Sequence, residues 1–132
     1  MKPVTIEFPS IVENIRIVES FIDTSRDELQ ITDDIYGNIL IALTEAVNNA
    51  IQHGNRNDKE KLVRLTCRAG REELHFTIED QGFGFDFNDL PDPTSGENLL
   101  KPEGRGIFLM KELSDVLRFD NQGKKVEMIF YL

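Results

Sequence analysis

The sequence predicts an α/β two-layer sandwich, an α+β arrangement with a mixed, mostly antiparallel sheet and helices on one face. Three observations lead there. Several short runs alternate apolar and polar residues, the pattern of half-buried strands. Longer stretches carry apolar residues at helical spacing. The segments follow one another in the order β-α-α-β-β-loop-α-β-β, with turn residues where two strands are adjacent.

Val4 to Phe8 alternates and reads as the first strand. Pro9-Ser10 ends it, and Ser10 with Glu13 three residues on makes a capping box for a helix. Ile11, Ile15, Val18 and Ile22 continue that helix to an expected end near Arg26. Thr32-Asp33-Asp34 opens a longer helix, its acidic groups placed where the dipole favours them. It is expected to reach about His53, with Gly54 as its stop. Asn55 to Glu60 reads as a polar loop. Leu62 to Arg68 alternates, Gly70-Arg71-Glu72 reads as a hairpin turn, and Leu74, Phe76 and Ile78 mark the return strand. From Gln81 to Glu103 periodicity fails, and Gly82, Gly84, Pro91, Pro93, Gly96 and Pro102 fall in this stretch. Loops this long in compact domains are usually functional lids or disordered. Gly106 to Leu113 reads as a helix. Val116 to Asp120 and Val126 to Leu132 are the last strands, around an Asn121-Gln122-Gly123 turn.

The 132 residues fit a single domain, 1–132. Fifteen basic against 24 acidic residues leave a net charge of −9, which repels phosphate backbones and anionic lipid. Neither nucleic acid nor membrane is expected as a partner, and a basic protein partner suits the charge better. Cys67 is the one cysteine, so an intrachain disulfide is impossible, and it reads as a small strand hydrophobe facing the core. No signal-peptide pattern opens the sequence and no apolar run approaches the roughly 18 residues needed to span a bilayer. The expected compartment is the cytoplasm.

Three features carry chemistry. On the second helix Asp34, Asn38, Glu45, Asn49 and Gln52 fall within about 60° of one another, a polar stripe on an otherwise apolar helix. Glu45 and Asn49 are neighbours, four residues apart. From the helix alone, a solvated face is the simpler reading. Asp80-Gln81-Gly82-Phe83-Gly84 directly follows a strand. A carboxylate there can accept a hydrogen bond from an exocyclic amine, and glycines permit positive φ and close approach to the backbone. An ordinary turn is the competing reading. Gly104-Arg105-Gly106 opens a helix, whose free amides can bind anions, with Arg105 and Lys101 adding positive charge. A flexible joint with surface cations explains it equally well.

In combination and in this order the three become specific. Thr44-Glu45-Ala46-Val47-Asn48-Asn49-Ala50-Ile51-Gln52-His53-Gly54 resembles the N box of the Bergerat-type ATP-binding superfamily of gyrase, heat-shock chaperone, histidine kinase and MutL-type ATPases. Asp80 to Gly84 resembles its first glycine box, and Gly104-Arg105-Gly106-Ile107 its second. The chain is most similar to the stand-alone serine-protein kinases that act as anti-sigma factors. That resemblance implies the Bergerat ATP-binding fold, ATP and Mg²⁺ as cofactors, and a lid at about residues 81–103. It implies Glu45 as the general base and Asn49 as the Mg²⁺ ligand bridging to the triphosphate. Asp80 would hold the adenine amino group, with Gly82 and Gly84 shaping the pocket. Gly104, Arg105 and Gly106 would hold the phosphates. The lid lacks a Thr-Thr-Lys-Pro sequence and carries Asn98-Leu99-Leu100-Lys101-Pro102 instead, leaving Lys101 as the phosphate-contacting match. His53, inside the N box, is counted with the cofactor-binding residues, a structural role being its other reading.

The function so implied is an ATP-dependent serine/threonine-protein kinase acting as an anti-sigma factor, which phosphorylates a small antagonist protein and sequesters a sigma factor. The alternative is a non-catalytic ATP-binding module that switches protein–protein binding. The resemblance also implies a homodimer, for which the Phe8, Ile11 and Ile15 region is one candidate interface, core use being the other.

Overall fold

The computed structural model describes residues 3–82 and 102–132, with side chains in the second stretch from residue 106 onward. Five strands form one sheet: β1 (Val4–Pro9), β2 (Leu62–Ala69), β3 (Glu73–Glu79), β4 (Val116–Asp120) and β5 (Lys125–Tyr131). Their spatial order is β1-β2-β3-β5-β4. Three helices accompany them: α1 (Ile15–Ser25), α2 (Asp33–Asn49) and α3 (Pro102–Leu113).

All four pairings are antiparallel, so the sheet is not mixed. The connections explain this. Two helices separate β1 from β2, so the chain returns to the end it left and β2 runs back along β1. β3 and β4 do run in the same direction, joined through α3, but β5 sits between them and no parallel pair forms.

The alternating residues fall as their period requires. Val63, Leu65 and Cys67 of β2, Leu74, Phe76 and Ile78 of β3, and Val126, Met128 and Phe130 of β5 are buried on the helix side. Phe76 meets Phe130 edge-on, with ring centroids 5.9 Å apart. Val18 and Ile22 of α1, and Ile39, Leu43, Val47 and Ile51 of α2 and its extension, close the core from above. Cys67 is part of it, and burial pushes its thiol up to about 11. Phe8 is buried and Ile15 packs against the core, whereas Ile11 is exposed, so only Ile11 of the candidate interface residues stands free of the interior.

Three element ends differ from expectation. Ser10 forms no capping box: the side chain is buried and donates to the Lys61 carbonyl at 2.6 Å, and a short 3₁₀ turn at Val12–Asn14 precedes α1. A long-range partner outbids the local one here. α2 stops at Asn49, and Ala50–Gly54 forms a widened turn closed by Asn55 N–H donating to the Ala50 carbonyl at 2.8 Å. Such single wide turns recur at functional sites. α3 starts at Pro102, four residues before the expected Gly106, because proline suits a first helical position, where its fixed φ fits and its missing N–H is not needed. Gly104, Arg105 and Gly106 therefore lie within the first two turns of α3 rather than ahead of it.

Candidate functional site

A cavity of about 180 Å³ opens between the C-terminal part of α2, the end of β3, α3 and the β4–β5 turn. Ala46, Ile78, Ile107, Met110 and Val126 make its walls mainly apolar. Asn49, His53, Asp80 and Lys124 supply its polar side chains. The polar stripe of α2 thus divides: Asp34 and Asn38 are solvated, while Glu45, Asn49 and Gln52 are half-buried. The solvated face expected from the helix alone is found at its N-terminal half only.

Asp80 stands one residue past β3, its N–H still bonded to the Lys124 carbonyl at 2.9 Å. Its Oδ1 accepts from Gly82 N–H at 2.9 Å, which leaves Oδ2 for another donor. Burial holds the carboxyl above its ordinary value, against the Gly82 hydrogen bond and the charges of Lys124 and Lys61, which pull it down. The carboxylate lies against Gly54, where a Cβ would collide with it, and a Cβ on Gly82 would strike the Gly54 carbonyl. Neither glycine has a positive φ; among the described glycines only Gly123 does, at 85°. Gly54 and Gly82 are therefore required for close approach between two chain segments. Gly54 does not end a helix by a left-handed turn, and Gly82 does not supply the positive φ its turn allowed.

The second cluster lies on α2 and α3. A Cβ on Gly106 would sit 2.8 Å from Glu45 Oε2 and 3.6 Å from Asn49 Nδ2. The bare backbone of α3 thus rests on the Glu45–Asn49 pair. Asn49 faces both Gly106 and the cavity that holds Asp80, and so links the two clusters. His53 is exposed at the cavity rim. Gly104 lies on the α3 backbone. Gly84, Lys101 and the Arg105 side chain are outside the described residues.

Several lining residues, Lys124 and Met110 among them, carried no sequence signal for the site. Lys124 follows a turn whose Asn121, Gln122 and Gly123 all have left-handed φ, which the turn composition indicated, but not that it would face Asp80. Ile107 and Met110 look like core residues at helical spacing, and only the tertiary fold shows them lining a cavity. An apolar slot with one carboxylate at its end suits a flat heteroaromatic ring bearing an amine. A half-buried acid and amide beside backbone at a helix start suit phosphate chemistry.

A family model described as histidine kinase-like ATPase domain matches residues 8–130. The serine-protein kinase RsbW of Bacillus subtilis (strain 168) is 27% identical over 136 aligned positions, covering 98% of this chain and 85% of that one. The anti-sigma F factor of Clostridium beijerinckii is 30% identical over 121 positions, covering 89% and 84%. Among solved structures, that of the RsbU and RsbW domains of Rv1364c from Mycobacterium tuberculosis matches with a TM-score of 0.67 at 15% identity. The match spans 99% of this chain and 31% of that one, and at this identity it speaks for the fold.

Proposed function

The chain belongs to the histidine kinase-like ATPase domain family, and from that premise we propose that it is an ATP-dependent serine/threonine-protein kinase that regulates a sigma factor by phosphorylating a small antagonist protein. One observation carries the reading: Asn49, which with Glu45 meets the backbone of α3 at Gly106, also lines the cavity that contains Asp80.

The residues fit an adenine nucleotide. The cavity is smaller than the roughly 300–1,000 Å³ of sites that enclose a whole drug-sized ligand, so it takes the base and leaves the phosphates at its mouth. Asp80 Oδ2 accepts from the exocyclic amine, and the Gly54–Gly82 contact keeps side chains out of the space beside it. Ile78, Ile107 and Met110 present apolar faces to the ring. Asn49, four residues from Glu45, offers its side-chain oxygen to Mg²⁺. An ion of this kind is commonly held by one or two protein oxygens together with substrate phosphates. Bound Mg²⁺-ATP supplies the transferable phosphoryl group and cancels much of its charge. Glu45 takes the proton of an incoming seryl or threonyl hydroxyl at its carboxylate and orients that oxygen for attack. Gly84, Lys101, Gly104 and Arg105 complete the phosphate side in this reading, and His53 borders the base.

The name of the Clostridium relative, an anti-sigma F factor, supports a sigma factor as partner, and that of the Bacillus relative, a serine-protein kinase, supports a protein substrate, which this reading takes to be the antagonist. The cytoplasm, where sigma factors act, is the compartment this reading proposes. Among the described residues no helix is long and apolar enough to cross a membrane. We read it as a homodimer, with exposed Val4, Ile11 and Val12 supplying apolar surface on and just after β1.

Phosphoryl transfer from labelled ATP to candidate antagonists tests the assignment. Glu45→Ala should lose transfer by about 10²–10⁴-fold and keep nucleotide affinity, whereas Asn49→Ala should weaken Mg²⁺-dependent binding itself. ATP binding without transfer to any antagonist, together with nucleotide-dependent capture of a partner, would establish the non-catalytic module instead.

A further inference from the structure

Ser10 and Asn55 are the buried polar side chains among the described residues, each 1% exposed, and they touch. Asn55 Nδ2 donates to Ser10 Oγ at 2.7 Å and to the Leu62 carbonyl at 3.0 Å. Its Oδ1 accepts from Gln81 N–H at 2.7 Å. The Gln81 side chain returns the contact, its Oε1 accepting from Leu62 N–H at 2.6 Å. One amide side chain therefore ties the end of β1, the start of β2 and the segment leaving β3.

The Gln81 bond is the informative one. β3 ends at Glu79, and Asp80 N–H still follows the sheet by bonding to Lys124. Gln81 N–H has left the ladder, and Asn55 replaces the missing strand partner. Asn55 also directly follows Gly54, whose backbone lies against both the Asp80 carboxylate and Gly82. Asp80 is thus held between two consecutive residues of one turn, by contact with Gly54 and through its neighbour's bond to Asn55. A side chain that donates twice and accepts once is needed here. Aspartate keeps the acceptor for Gln81 N–H and loses both donors, and an apolar isostere would leave the half-buried Gln81 N–H without its protein partner.

We propose that Asn55 is a positioning residue for base recognition: by fixing the Gln81 amide it sets Asp80 where the exocyclic amine of a purine must arrive. The inference rests on the nucleotide reading above. It separates two roles that burial alone would merge. The Ser10 arm of the network ties Asn55 to the Lys61 carbonyl and serves the fold, whereas the Gln81 arm serves selectivity for an amino-bearing base.

The test compares wild type, Asn55→Ala, Asn55→Asp and Ser10→Ala, each well below its melting temperature. Calorimetry measures Mg²⁺-ATP against the triphosphate of purine riboside, which lacks the exocyclic amine. Hydrogen exchange by NMR follows the Gln81 amide without nucleotide. Wild type should prefer ATP by about tenfold, the worth of one hydrogen bond to a charged group. Ser10→Ala should melt lower and keep that preference. Asn55→Ala should lose the preference and exchange Gln81 faster, and Asn55→Asp, which retains the acceptor, should recover it. The inference is overturned if Asn55→Ala discriminates as wild type does, or if Ser10→Ala loses discrimination equally. Should the alanine variant not fold, loss of the preference in Asn55→Asp overturns it. Failure of wild type to bind either triphosphate defeats the nucleotide reading alone. The Gln81 exchange rate then decides the latch: faster in Asn55→Ala upholds it, unchanged removes it.

Discussion

Asp80 is under two opposed demands. The cavity in which we propose it selects the base also desolvates it, and its carboxyl is held above the ordinary value despite Gly82, Lys124 and Lys61. A group raised in this way binds its proton more tightly folded than unfolded. Its contribution to stability is complete below the unfolded value and is lost as pH rises through the folded one. At neutral pH the ionised group therefore weakens the empty fold. Asp80→Asn should melt no lower than wild type at pH 7, and should lose about 10–100-fold in ATP affinity, since with the amide oxygen kept on Gly82 N–H the NH2 group turns a donor toward the donating amine of the base. Thermal denaturation and calorimetry check both parts; a variant that melts lower and binds normally refutes the assignment. In wild type, ATP affinity should fall on acidification at a higher pH than an ordinary carboxylate would give. Gly106 shows the other kind of constraint. A methyl there would press on the flexible end of Glu45, 2.8 Å away. Alanine also favours a helix by roughly 0.5–1 kcal/mol over glycine, which offsets much of the strain. Gly106→Ala should therefore shift the melting temperature little and slow phosphoryl transfer by about 10–100-fold through a displaced Glu45. Equal transfer rates in the two proteins would dismiss Gly106 as a determinant of Glu45 geometry.

At the scale of elements, α2 does two jobs along its length. Its first turns carry Asp33 and Asp34 at the positive end of the dipole and turn Asp34, Gly37 and Asn38 to solvent opposite buried Ile39, and its last turn meets α3 and the cavity. Gly37 belongs to the solvated part and has no atom within 4 Å of where a Cβ would stand. No packing requires glycine there, so Gly37→Ala should stabilise by roughly 0.5–1 kcal/mol and leave transfer unchanged. A lower denaturation midpoint would mean that the position has a partner or a function. The sheet's outer face shows a similar economy. The register aligns Glu7, Arg64, Glu79, Lys125 and Asp120 across all five strands, alternating in sign, with Arg64 3.7 Å from Glu7 and 3.8 Å from Glu79. Exposed pairs like these add about 0–1 kcal/mol each. Their greater effect is on register, because a slip of one residue would turn Arg64 toward the core and Val63 toward water.

At the scale of the molecule, the features legible in the sequence were those with a period or a box. The alternation of β2 and β3, the apolar arc of α2 and the Glu45–Asn49 spacing all survive in the fold because each depends on residues within a few positions. What local pattern could not supply were partners across distance. Ser10 has the spacing of a capping box, but its partner Asn55 is 45 residues away. Gly54 follows a helix as a stop signal would, but its reason is Asp80, which arrives from another strand. Parallel or antiparallel pairing depends on where β5 inserts, which no segment encodes alone. The site depends on this same long-range assembly, since Asn49 comes from α2, Asp80 from beyond β3, Lys124 from the β4–β5 turn and Gly106 from α3. A ligand that touches all four segments must stabilise the whole fold and not one loop. At a Mg²⁺-ATP concentration 100 times the dissociation constant, linkage adds about 2.7 kcal/mol, which for a chain of this size raises the melting temperature by on the order of 10 °C. Glu45→Ala should retain this shift, because in the proposed mechanism its carboxylate acts on the hydroxyl and not on the nucleotide. Asp80→Asn should lose most of it under the same conditions, and so should wild type when ATP is replaced by the triphosphate of purine riboside. Melting curves of the three cases separate binding from chemistry, and a full shift in Asp80→Asn would place the base somewhere other than the cavity between α2 and the sheet.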